Sequence, residues 1–155
     1  MYALRDASIP SLHRSLKPLT IDEVMELTHL SEHTPLCIQS FNPMSLKWFR
    51  KMRPNIIRGL ISYSYPVEDV KLSASTRYLL RNLLLSPLCS PHYIAYDYQD
   101  LGRHRLKHLH RLRAKGRPLL VWTVRSEEAE TLALARADNF IFEEMTPRNL
   151  PNHEE

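Results

Sequence analysis

From residue 36 onward the chain repeats one pattern: a short apolar run, a helix-start signal, then residues spaced at a helical period. Strands that alternate with helical segments in this way are the signature of βα units and a parallel sheet. Five strands are expected, at about residues 36–41, 56–63, 92–98, 118–124 and 139–143. Two runs are the most informative, Leu36-Cys37-Ile38-Gln39-Ser40-Phe41-Asn42-Pro43 and Leu119-Leu120-Val121-Trp122-Thr123-Val124. In each, polar or aromatic residues occupy the C-terminal end of the strand, where α/β proteins place their ligands.

Helix boundaries are marked in several places. Asn42 is suited to cap a helix whose first residue is Pro43, because proline has no N–H to leave unpaired and its φ is already helical. Leu46, Phe49 and Met52, with Trp48 beside them, are expected to form the apolar face, and Pro54 to stop the helix. Ser126 opens another helix, with Glu127 and Glu128 at the positive end of its dipole. Its small-residue face is expected at Ala129, Leu132, Ala133 and Ala135. Nearer the N-terminus, Thr20-Ile21-Asp22-Glu23 fits a capping box for a helix from 21 to about 31. Residues 1–19 have no clear period and read as an arm or loop, residues 20–148 as the α/β domain, and residues 149–155 as a tail.

Composition narrows the partners. At 155 residues, 43% hydrophobic and 25% charged, the chain has the make-up of one globular domain. No apolar stretch approaches the roughly 20 residues that span a bilayer, and the N-terminus lacks the apolar core of a signal peptide, so a cytoplasmic protein is expected. Cys37 and Cys89 make neither a disulfide framework nor a spaced metal motif and read as free thiols. The net charge of +4 favours anionic partners without choosing among them.

Much of that charge lies in residues 103–115, where Leu106, Leu109 and Leu112 recur between arginines, lysines and histidines. An outer helix with its leucines turned inward is one reading; a surface for phosphate or anionic lipid is another. Nucleic-acid recognition is not expected, since the segment has no interleaved aromatics and no reader motif. Residues 66–90 hold a second amphipathic stretch, with Tyr78-Leu79-Leu80 and Leu83-Leu84-Leu85 around Arg81. It reads either as a crossover helix on the sheet or as a surface helix docking a membrane or a partner chain.

Gln39-Ser40-Phe41-Asn42-Pro43 and Trp122-Thr123-Val124, with Arg58-Gly59-Leu60, Tyr93-Ile94-Ala95-Tyr96-Asp97 and Asp138-Asn139-Phe140-Ile141-Phe142-Glu143 in order between and after them, resemble the second half of a glycerophosphodiester phosphodiesterase. The resemblance covers about residues 35–148 and implies a partial TIM (β/α) barrel of about five parallel strands. It also implies that Phe41 and Trp122 line the apolar side of the substrate pocket, with Gln39 or Ser40 near the polar head. The family hydrolyses glycerophosphodiesters to glycerol 3-phosphate and an alcohol, as part of glycerophospholipid metabolism. It uses two histidines as acid and base and carboxylates that hold a divalent metal, Ca or Mg.

The motifs that carry this chemistry are not recognisable here, so no catalytic or metal residue is assigned and little or no activity is expected from the chain alone. His13-Arg14 is the one His-Arg pair in the N-terminal arm, but Ser15 stands where the family has glycine and no β-run precedes it. His104 and His108 are four apart without an acidic partner, and read as solvated. Asp97, Glu143 and Glu144 fall near strand ends and are the remaining candidates for a carboxylate site. A partial parallel barrel leaves open edges and apolar surface, so a homo-oligomer or a complementary barrel half is the expected partner. The alternative function is a non-catalytic scaffold, or a module for anionic phosphate or membrane surfaces, acting as an oligomer.

Overall fold

The computed structural model describes residues 37–103 and 106–148. The N-terminal arm with His13-Arg14, the capping box at Thr20, His104 and the tail lie outside the described residues. In chain order the elements are β1 (Cys37–Ser40), α1 (Pro43–Met52), β2 (Ile57–Ser62), α2 (Ala74–Arg81), α3 (Ser86–Cys89), β3 (Tyr93–Asp97), α4 (Lys107–Ala114), β4 (Leu119–Val124), α5 (Glu127–Arg136) and β5 (Asn139–Phe142). All five expected strands are present, each within a residue or two of its predicted bounds.

The strands form one parallel sheet in the order β1-β2-β3-β4-β5. Strand order follows chain order without reversal, so the sheet winds one way and curls into a half barrel instead of opening as a doubly wound sheet. Among the described residues, no helix is long and apolar enough to cross a membrane.

Helix starts follow the sequence signals. The Asn42 side chain accepts the Met44 N–H at 2.9 Å ahead of Pro43, and Ser126 accepts the Ala129 N–H at 3.2 Å. Gly116 follows α4 at φ +75°, a left-handed stop that glycine takes without a Cβ clash.

Two apolar faces differ from expectation. In α1 Pro43, Leu46 and Phe49 are buried; Trp48 and Met52 stand at the surface. In α5 Ala129 and Ala133 are buried with Glu130, whereas Leu132 and Ala135 are exposed. Both helices turn only a narrow stripe towards the sheet, which the 3.6-residue period selects. The leucine-rich stretch is likewise two helices. Leu83, buried and at φ +58°, interrupts it after the Asn82 cap.

The core lies between the sheet and these helices. Leu60, Ile94, Tyr96 and Leu119 from one face of the sheet pack with Leu46, Leu83, Leu106 and Leu109. The fully buried Tyr96 donates its hydroxyl to the Arg81 carbonyl at 3.0 Å, tying the end of α2 to β3. Leu106 and Leu109 face inward, which supports the outer-helix reading of the basic segment. His108 is not simply solvated, since its Nε2 lies 2.9 Å from Ser86 Oγ and joins α4 to α3.

His92 makes this scaffold sensitive to acid. Its Nδ1 accepts the Arg58 N–H at 3.0 Å, a role only the neutral ring can play. Burial, aided by Arg58 and Arg117, holds its pKa below the usual histidine value. Folding therefore favours the deprotonated ring, and its contribution is complete above about pH 6.5 and is lost as pH falls from there towards the lowered pKa. The burial-driven lowering at His108 acts in the same direction. The melting temperature is expected to be flat between about pH 7 and 8.5 and to drop below about pH 6.5. His92→Asn, which keeps an acceptor but cannot titrate, should shallow the drop; an unchanged slope would show that His92 is not responsible.

Candidate functional site

Side chains alternate across each strand, and the register fixes which residues share a face. Ser40, Leu60, Ile94 and Leu119 form one row, and Ser62, Tyr96, Val121 and Phe140 are on the same side. This is the helix-covered outer face. The inner face carries Cys37, Gln39, Gly59, Ile61, Tyr93, Ala95, Asp97, Leu120 and Trp122.

Gln39 and Ser40 are thereby separated. Gln39 faces the interior, where the Tyr93 hydroxyl donates to its Oε1 at 3.3 Å and lies 3.2 Å from Cys37 Sγ. Burial, with the Cys37 contact, drives the Tyr93 phenol well above its usual range. Ser40 turns the other way, and its Oγ accepts the Asn42 N–H at 3.0 Å beside the start of α1.

Phe41 and Trp122 come together at the C-terminal rim of the sheet, with ring centres 5.5 Å apart and planes at 82°. Tyr63, just past the end of β2, completes a three-ring cluster at 5.8 Å from Phe41 and 6.1 Å from Trp122, all edge to face. Tyr65 lies against Tyr63, with ring centres 4.2 Å apart and planes tilted at 41°. Burial, with Asp69 and Asp100 nearby, pushes the Tyr63 phenol up to about 12. Trp122 is partly exposed, yet its indole Nε1 is buried without an acceptor among the described residues. The Trp122–Thr123 peptide is cis, and the β4–β5 pairing is irregular between Val121 and Val124. Neither Tyr63 nor Tyr65 was singled out by the sequence. Their signal was available, since Ser62-Tyr63-Ser64-Tyr65 follows a strand as Ser40-Phe41 does.

The acidic candidates do not converge. Asp97, level with Trp122, uses Oδ1 to accept the Gln99 N–H at 2.8 Å, and burial raises its pKa above the usual carboxylate value. Glu143 pairs with Arg125 at 2.6 Å, and Glu144 is exposed at φ +58°. The buried Asp100 accepts the Ser64 N–H at 2.8 Å. Among the described residues no group of three His, Cys, Asp or Glu is placed to hold a metal ion. Their donor set does not fit the divalent metal that the resemblance implies.

What the arrangement offers is a water-excluding aromatic wall with one buried N–H, on the rim of a parallel half barrel. Two solved structures share that fold. One is a phosphodiesterase of Oleispira antarctica in complex with the product sn-glycerol-3-phosphate, with TM-score 0.50 and 20% identity over 77% of this chain and 44% of that one. The other, from Silicibacter pomeroyi, is assigned as a glycerophosphoryl diester phosphodiesterase, with TM-score 0.52 and 16% identity over 77% of this chain and 38% of that one. The chain thus spans less than half the length of either structure. No family model matches it, and no curated protein matches it significantly.

Proposed function

We propose that the chain is a glycerophosphodiester phosphodiesterase-like half barrel that contributes the substrate-facing rim of such a site and has little or no turnover alone. The observation that carries this reading is the Phe41–Tyr63–Trp122 cluster at the C-terminal ends of the parallel strands, the position at which a singly wound barrel acts. Phe41 and Trp122 would wall off water and orient the alcohol portion of a diester. Gln39 would offer its amide from the inner face. Ser40 would act on the backbone that enters α1.

Inactivity is supported by the scatter of the acidic groups, of which Asp97, Asp100 and Glu143 are engaged locally, and by the absence of the family's acid, base and metal motifs from the sequence. The free thiols Cys37 and Cys89 are in keeping with a reducing, cytoplasmic setting. The inner face, whose apolar side chains are only partly buried among the described residues, supports association with a second copy or with a complementary half.

The test is release of glycerol 3-phosphate from glycerophosphocholine by the purified chain with added Ca or Mg. No release above the protein-free rate is expected. Turnover that His13→Ala abolishes would overturn the reading, because it would locate a catalytic pair in the N-terminal arm.

A further inference from the structure

The surface of α1 carries apolar side chains that the half barrel does not use. Met44, Trp48 and Met52 occupy positions i, i+4 and i+8, one line along the helix, and are 52%, 41% and 46% exposed. Leu46 and Phe49 hold the opposite stripe against the sheet, so the line faces away from the core. Trp48 is fixed there by an edge-to-face contact with the buried Phe49, with ring centres 5.1 Å apart. Beside α1 packs α3. Arg50 locks the two helices by donating to the Pro87 and Leu88 carbonyls at 3.0 and 3.1 Å.

Among the described residues, the segments that form this surface carry charge of one sign. Neither residues 41–67 nor residues 82–96, which supply α1, α3 and their flanks, contain an aspartate or glutamate. Lys47 and Lys51 lie beside the apolar line and are exposed. Among the described residues no carboxylate pairs with either.

We infer that this face docks on an anionic lipid surface. A tryptophan and two methionines give a shallow apolar ridge, and the flanking lysines are placed to meet headgroup phosphates. The ridge is the outside of a helix, a convex shape. A fluid bilayer admits such a ridge without a preformed groove, which a protein partner would have to supply. This surface is separate from the basic helix α4, whose Arg113 is already held by Asp138 at 3.2 Å and by the Arg136 carbonyl. It is separate from the aromatic rim as well, so the inference stands apart from the proposed catalytic lineage.

The experiment is flotation of the full chain with phosphatidylcholine vesicles, with and without about one third phosphatidylserine, at about 0.1 and 0.5 M salt. Binding is expected to the anionic vesicles at low salt, to weaken at high salt, and to be at least about tenfold weaker on phosphatidylcholine alone. Lys47→Glu with Lys51→Glu should lower partitioning at least about tenfold, and Trp48→Ser with Met52→Ser should do the same. All four side chains are exposed, and an unchanged melting temperature verifies that each variant is folded. Failure of the folded parent to float with anionic vesicles would overturn the inference, and so would binding indifferent to both pairs of substitutions. So would Trp48→Ser changing the sedimenting mass but not flotation, since the occupant would then be a second copy.

Discussion

Gly59→Ala is expected to destabilise the chain by about 2 to 3 kcal/mol, a large penalty for one added methyl group. The position itself would accept alanine, since Gly59 is not among the residues at positive φ. Reducing the freedom of the unfolded chain would even favour alanine there slightly. The cost arises across the sheet. Tyr93 on β3 lies over Gly59 to reach Gln39 and Cys37 on β1, and a Cβ at position 59 would overlap its ring and hydroxyl. Either the ring leaves its two partners or the strands shift. Denaturant unfolding of Gly59→Ala, Tyr93→Ala and the double variant checks the origin of the penalty. Gly59→Ala should become nearly neutral once Tyr93 is truncated, with a coupling energy of about 2 kcal/mol. Equal costs in both backgrounds would mean that the inner face is not layered in this way.

That layer also shows where the sequence was legible. The strands were, because each is a short apolar run closed by a helix signal, and Asn42-Pro43 and Ser126 mark two helix starts directly. The faces of the strands were not. Parallel strands carry apolar residues on both sides, so alternation gives no clue to which side is inner. Gln39 and Ser40 were therefore interchangeable in the sequence, whereas the register sends one to Tyr93 and the other to the turn before α1.

The rim was half legible. Phe41 stands out just past one apolar strand and Trp122 within another, whereas Tyr63, which carries the same strand-end signal as Phe41, is joined to them when the sheet brings it to 6.1 Å from Trp122. Trp48 and Met52 misled for the opposite reason. Apolar residues at helical spacing suggest core, yet a helix on a sheet buries only the stripe that Leu46 and Phe49 already fill.

The second large effect concerns assembly. Cys37, Ile61, Tyr93, Leu120 and Trp122 of the inner face are only partly buried, and the face carries one ionisable carboxylate, Asp97. Strands β1 and β5 are the sheet's edges, each with one side of its backbone hydrogen-bonding groups unpaired by the sheet. Apolar area and open edges of this kind favour association, and a second copy would offer the same surfaces in return. Leu120→Lys would place a charge in the middle of that face without touching the helix-packed core, and should convert an oligomer to a folded monomer.

The measurement that bears most directly on the half-barrel account is sedimentation equilibrium of the purified chain across micromolar concentrations, beside Leu120→Lys. A dimer or larger species for the parent and a folded monomer for the variant are the predicted result. A parent that is folded, stable and monodisperse as a monomer at every concentration would contradict the claim that the inner face is built to be covered.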